Sequence, residues 1–377
     1  MIPGFSSTGS KRPEALFGGL PGVPLRMTRS LGCRMWDLGG REYLDTIMAL
    51  GAVALGYAHP SVVRAAEAAV RDGAVGSLAP VEEEKLAERL AAVLPGAEAS
   101  RFLKTGAEAV AAAVRIARVH TGRDHVLLCG YHGWHDWCQA GEGVPRVLHE
   151  LRREIPFNDT VALDRAVRES PPLAAIVVEP VVDAAPDLKW LEALKRAAQG
   201  AGAVLVFDAI KTAFRMKPFG VTPDLVVTGK ALGNGFPIAA VSGPMALMKA
   251  ASRTWISSTL ATEFVSLRAA LAVLDVFEKE KAREKIAAAG ARFHAGLVRL
   301  AAAHPRLVSA VRGVPEMCYF AFADDAASAA VAARAAHHGL LFKRSAYNFV
   351  SLAHEDRDID TALERLAHAL DDVERAC

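Results

Sequence analysis

The chain has 377 residues, long enough to bury a sizeable core and to hold one large domain beside a smaller one. Its 44 Lys and Arg balance 42 Asp and Glu, so no global field of one sign favours nucleic acid or an anionic membrane, and a small molecule is the expected partner. No stretch reaches the ~18 to 20 uncharged apolar residues of a membrane span, no apolar leader follows a basic start, and the five cysteines are scattered like reduced thiols; a soluble, cytoplasmic protein is expected.

Gly and Pro punctuate the N-terminal segment up to Pro24, so an irregular arm is expected before the first regular element. Residues 33–45 (CRMWDLGGREYLD) read as two short strands about a turn at Gly39 and Gly40. Apolar residues recur at helical spacing over 61–72 and 81–94, and Pro95 and Gly96 stop the second segment. Strand-like apolar runs follow at 125–129 (HVLLC), 173–178 (LAAIVV), 203–207 (AVLVF), 225–228 (LVVT) and 238–242 (IAAVS), mostly separated by helical patterns such as 107–120 and 189–200. That alternation predicts an α/β fold with a largely parallel sheet. From about 266 the pattern is helical towards 279 and again over 284–303; apolar runs at 318–322 and 340–342 and a last helix over 358–374 predict a smaller α+β domain.

Three polar features stand just past predicted buried strands: Glu179-Pro180, Asp208, and Gly229-Lys230. In open α/β sheets that edge is where ligands bind. An amine and a carboxylate delivered there by neighbouring strands form the pair that pyridoxal phosphate (PLP) requires. The lysine forms the imine, and the carboxylate keeps the pyridine nitrogen protonated so that the ring accepts electrons. Taken singly, Asp208 reads equally as a cap and Lys230 as a solvated surface lysine. Residues 104–107 (KTGA) open a helix at Gly106 and Ala107, where free backbone N–H groups suit a phosphate, although many helices start this way with no ligand.

The segment 129–138 (CGYHGWHDWC) is dense in aromatic residues, and Tyr131 or His132 suits a place flat against a heteroaromatic ring. Cys129, His132, His135 and Cys138 also admit a zinc reading by their spacing. Gly130 and Gly133 disrupt a regular helix there, and a strand end followed by a stacking loop explains the same residues, so no metal is expected. Nucleotide motifs fail: Ala231 follows Gly229-Lys230, Asp224 stands where a phosphate loop has its first glycine, and no GxGxxG follows a strand.

With these residues in order, the chain resembles the class III, fold-type I PLP aminotransferases, and within them the branch of glutamate-1-semialdehyde aminomutase. The motifs are WDLGGREYLD (36–45), LGYAHP (55–60), TGAEA (105–109), TGRD (121–124), GYHGWHDW (130–137), VEPV (178–181), VFDAIKTAFR (206–215), PDLVVTGKALGNGFPIAAVSG (223–243), Ser257-Ser258-Thr259 and LAHEDRDID (352–360). They span nearly the whole chain. The resemblance implies a mostly parallel, seven-stranded type of sheet flanked by helices in a large cofactor domain at 48–278. A small α+β domain would come from an arm and hairpin at 1–47 and from 279–377.

Carried over residue by residue, the resemblance implies Lys230 as the Schiff-base lysine and Asp208 as partner of the pyridine nitrogen. Tyr131 would stack on one ring face, with His132 beside it in the cofactor site, and Ile210 would cover the other. The backbone of Gly106 and Ala107 would hold the phosphate, and Thr259 would reach the phosphate of a neighbouring subunit in a homodimer. The implied activity moves an amino group from an amine or amino acid donor to a keto or aldehyde acceptor. An aminomutase or racemase is the alternative within enzymes, and a catalytically silent PLP-binding protein is the alternative outside them. Departures from the family pattern bear on this choice. The family usually has Glu, Val and Gly where this chain has Ala209, Ile210 and Ala213, and Thr or Ser is common at the position of Ala107. No arginine stands in 346–354, where many members bind an α-carboxylate, so Arg12, Arg34, Arg215, Lys343 and Arg344 remain as candidates for substrate recognition, although any one such residue is more often a surface charge.

Overall fold

A computed structural model describes residues 2–376. Their contacts fall into two units, one formed by the chain up to Pro60 together with the chain from Lys279 onward, the other by Ser61–Glu278.

In the N-terminal part of the first unit, the arm contains a short helix, Pro13–Phe17, that starts on proline and stops at Gly18 in the left-handed conformation. Strand β1 (Met27–Leu31) pairs antiparallel with β2 (Arg34–Asp37), which pairs antiparallel with β3 (Glu42–Asp45). The β2–β3 hairpin is the one expected from Gly39 and Gly40, and Gly40 takes the left-handed φ of +76° that the turn needs. Strand β1 was not expected, because its side chains are mostly exposed and leave no apolar alternation to read. Residues 48–60 belong to this unit rather than to the large one: Tyr57 and Gly32 exchange backbone hydrogen bonds of 2.7 and 3.0 Å, and the Tyr57 hydroxyl donates to Asp45 at 2.6 Å. By its contacts the unit extends to Pro60.

The second unit is built on a seven-stranded sheet of β4 (Ala99–Leu103), β5 (His125–Cys129), β6 (Arg152–Glu154), β7 (Leu173–Val178), β8 (Val204–Asp208), β9 (Leu225–Thr228) and β10 (Ala239–Gly243). Their order is β4-β10-β9-β8-β7-β5-β6. Only β10 runs antiparallel to its neighbours. The sheet is covered on both faces, which is why β7 is apolar and buried along its whole length. Val126, Leu128, Ala175, Val177, Val204 and Val206 face the helix Gly106–Thr121. The alternate residues Leu127, Ile176, Val178, Leu205 and Phe207 pack with helices Thr160–Glu169 and Leu188–Ala201. Alanines at 109, 112, 113 and 117 let the first of these helices lie close to the strands. The unexpected strands, β4 and β6, are the two edges, where one side has no partner and a continuous apolar run is not required.

After Lys279 the first unit resumes. Strands β11 (Val308–Val314), β12 (Met317–Phe322) and β14 (Asn348–Phe349) form a three-stranded sheet, while β13 (Leu340–Leu341) joins β3 in parallel. Helices Ala282–Ala303, Asp325–His337 and Asp356–Ala376 complete an α+β unit. Cys33, Cys129, Cys138 and Cys318 are free and buried, and Cys377 lies outside the described residues. No helix among the described residues is long and apolar enough to cross a membrane.

Candidate active site

Because β7, β8 and β9 run parallel and are neighbours, their C-terminal ends open onto one edge. The register sets Val178 beside Phe207 and Asp208 beside Val227. Glu179, Asp208 and Lys230 are therefore brought to the same edge, as the positions after the strands imply. Glu179 and Asp208 are buried. Lys230 opens a short 3-10 turn, Lys230–Leu232, with a left-handed φ of +44°. Burial is the main cause that pushes its amine down to about 8; the cations of Lys211 and Arg215 act in the same direction, and Glu179 and Asp208 oppose them. A lysine in that state loses its proton near neutral pH and is then a nucleophile and a base.

The loop after β5 closes over these carboxylates. Tyr131 donates its backbone N–H to Glu179 Oε2 at 3.0 Å, and the His132 ring places Nδ1 2.9 Å from Asp208 Oδ2. Gly130 and Gly133 both take left-handed φ angles, +103° and +102°. A Cβ at Gly130 would stand 2.6 Å from Glu179 Oε2, and one at Gly133 2.5 Å from the Ala107 Cβ. Glycine is thus required at both places by conformation and by space. Of the two aromatic candidates, His132 is buried and turned to Asp208, while Tyr131 is 64% exposed. The possible zinc ligands do not converge: Cys138 Sγ lies against backbone carbonyls, nearest that of His135 at 3.3 Å, and no group of three or more His, Cys, Asp or Glu among the described residues is placed to hold a metal.

The helix Gly106–Thr121 starts with a capping box. Thr105 Oγ1 accepts from the Glu108 N–H at 3.3 Å, and Glu108 Oε2 accepts from the N–H groups of Thr105 at 2.9 Å and Lys104 at 3.2 Å. The N–H groups of Gly106 and Ala107 stand in the first turn, where a helix has no intrahelical acceptor for them and carries its positive end. Ile210 fills the slot beside them: a Cβ on Gly106 would meet its Cδ1 at 3.1 Å and one on Gly229 would meet it at 2.9 Å. Thr259 lies on an exposed turn, and no hydrogen bond or ion pair ties it to these residues.

Lys211 was not singled out by the sequence. Its Nζ stands 2.8 Å from Glu179 Oε1, with both side chains largely buried. The available signal was its place inside VFDAIKTAFR, three residues past Asp208, but a lysine beyond a strand end reads as solvated. Arg215, one of several possible surface charges, is fully buried.

The donor set fits PLP. It offers a depressed amine, a buried carboxylate oriented by the His132 ring and the Ile210 N–H, and two N–H groups at a helix start, with glycines at 106, 130, 133 and 229 letting the surrounding backbone pack closely against Ile210, Glu179 and Ala107.

The family model "Aminotransferase class-III" matches residues 20–370. A 3-aminobutyryl-CoA aminotransferase of Cloacimonas acidaminovorans is 29% identical, over 100% of this chain and 95% of its own length. A glutamate-1-semialdehyde 2,1-aminomutase of Gemmatimonas aurantiaca is 33% identical, over 96% of this chain and 92% of its own. Among solved structures, the FumI protein of Sphingopyxis sp. MTA144 in its PLP internal aldimine form has a TM-score of 0.93 at 27% identity, covering 100% of this chain and 94% of that one.

Proposed function

The chain belongs to the class-III aminotransferase family and is a PLP-dependent transaminase, and from that premise we propose that the edge formed by β7, β8 and β9 is its active site, with Lys230 as the residue that carries the cofactor. The observation that carries this reading is the meeting of Lys230 and Asp208 on one sheet edge, with the lysine amine depressed to about 8.

Bound there, PLP supplies the electron sink that stabilises negative charge on a substrate carbon. Lys230 Nζ, lowered to about 8 so that its neutral form is within easy reach, would remove the proton from the carbon that bears the amino group and return it when the second substrate is converted. Asp208 holds a proton at the pyridine nitrogen, and His132 fixes the direction of its carboxylate. The N–H groups of Gly106 and Ala107 bind the phosphate. Tyr131 and Ile210 cover the two ring faces and exclude water. The large unit is then the cofactor domain. An amino donor and a keto or aldehyde acceptor are used in turn.

Thr259 completes the phosphate site of the neighbouring subunit in a homodimer. Trp255 and Leu260, 82% and 54% exposed on the same loop, support an interface there. Free, buried thiols support a cytoplasmic location.

An amino donor added to the PLP-loaded protein is expected to bleach its visible band, with the amino group recovered in an added keto acid or aldehyde. A band that no donor alters would overturn aminotransfer in favour of a silent binder. The 33% identity to an aminomutase supports a second reading, in which one substrate is isomerised with no acceptor present; product and chiral analysis of single-substrate incubations separates it from aminotransfer and from racemisation.

A further inference from the structure

The loop 130–133 is pinned at three points by residues far apart in sequence: the Tyr131 N–H on Glu179, the His132 ring on Asp208, and Gly133 against Ala107. Glu179 is the acceptor for the first pin, and its other oxygen is 2.8 Å from Lys211 Nζ. We propose that Lys211 is a positioning residue for the reaction: paired with Glu179, it holds this loop, and with it Tyr131 and the His132–Asp208 contact, in the form that receives the cofactor. This rests on the reading of Lys230 as the cofactor lysine.

The reason is electrostatic and local. Glu179 is buried and stands near the Asp208 carboxylate, and both circumstances favour its neutral form; Lys211 opposes them. Without Lys211 the Glu179 carboxyl is pushed further towards its neutral form, and the Tyr131 N–H would lose an ionised acceptor. The charged and titratable groups that face Glu179 are Lys211, Asp208, Lys230, the Tyr131 phenol and the Cys129 thiol, and Arg215 acts with Lys211 on Lys230. Lys211 is the cation hydrogen-bonded to Glu179 itself.

The test is PLP affinity, read by tryptophan fluorescence between about pH 6.5 and about pH 8.5, with thermal melts of the cofactor-free proteins. Lys211→Met is expected to weaken PLP binding by about tenfold relative to wild type at the lower pH, and the ratio should shrink at the higher pH as Glu179 ionises again. Lys211→Arg keeps the cation and should stay within about threefold of wild type throughout. The double variant Lys211→Met/Glu179→Gln lacks the titrating group and also lacks Lys211, so it shares the loss of that cation's influence on Lys230; the PLP affinity of Lys211→Met relative to the double variant should therefore rise with pH. A Lys211→Met affinity that keeps a constant ratio to the double variant across pH, or a Lys211→Arg as weak as Lys211→Met, would overturn the proposal. If Lys211→Met does not fold, Lys211→Gln takes its place in both comparisons, with Lys211→Gln/Glu179→Gln as the double variant. Lys230→Ala separates the two readings. If it leaves the visible band of the loaded protein intact, the assignment of the site fails whatever Lys211 does.

Discussion

Each of the two units buries a polar cluster, and the clusters are finished differently. In the smaller unit, Asp45 accepts the N–H groups of Ile47 at 2.7 Å and Met48 at 3.2 Å and the hydroxyl of Tyr57 at 2.6 Å. His354 meets the Ser351 N–H and hydroxyl with Nδ1 and the Asp45 carbonyl with Nε2, and Arg34 donates to Asp358 at 2.6 Å. None of these residues has a buried side-chain polar atom without a hydrogen-bond partner. In the large unit, His132 Nε2, Thr212 Oγ1 and Thr228 Oγ1 are buried with no partner. A closed network holds a fold together, whereas one with spare capacity beside a depressed amine is arranged for a ligand.

Substitutions can break this comparison or sharpen it. The largest effect is expected for Lys230→Ala, which should remove the visible band of the PLP-loaded protein and lower kcat by about a thousandfold or more. Its cofactor-free melting temperature should not fall, because a buried amine is costly to ionise. Asp208→Asn should follow, with a loss of about 100- to 1000-fold in kcat and weaker PLP binding, since an amide holds no proton on the pyridine nitrogen. A melt lowered as far as the activity would place Asp208 among structural residues and erase the contrast.

The next effect belongs to the small unit. Burial pushes the His354 imidazole down to about 4. Between its ordinary pKa and that value the unfolded chain binds more protons than the folded one, so stability rises with pH across the window and is lost as pH falls through it, by about 3 kcal/mol. Denaturant unfolding at several pH values should show this slope, and His354→Gln should flatten it. PLP affinity should be unchanged by that substitution; a change would mean that the two clusters are not separate in role. The smallest effect is expected for Ala107→Ser, which adds a hydroxyl at the phosphate end of the helix and should tighten PLP binding by roughly two- to fivefold, read in the same titration.

Much of the architecture was readable before any coordinates. The apolar runs of β5, β7, β8 and β9 lie inside the sheet, where both faces are covered and the chain must be apolar throughout. The edges β4 and β6 were not readable for the opposite reason, and Arg152 and Arg153 in β6 look like loop. Asp208, Lys230 and Gly106 stand out in the sequence as polar or glycine positions next to apolar runs. Lys211 does not, because its burial depends on Glu179 arriving from another strand. Pattern alone does not show either that His132, rather than Tyr131, turns its side chain to Asp208.

The sequence by itself determined the α/β class, the succession of the inner strands of the large sheet, and the placing of an amine and a carboxylate after two of them, because periodicity and strand-end chemistry are local properties of the chain. Only the tertiary structure decided that Glu179 pairs with Lys211, that His132 holds Asp208, and that Gly133 is pressed against Ala107. These contacts join segments separated by whole strands and helices. No pattern within one segment contains that information.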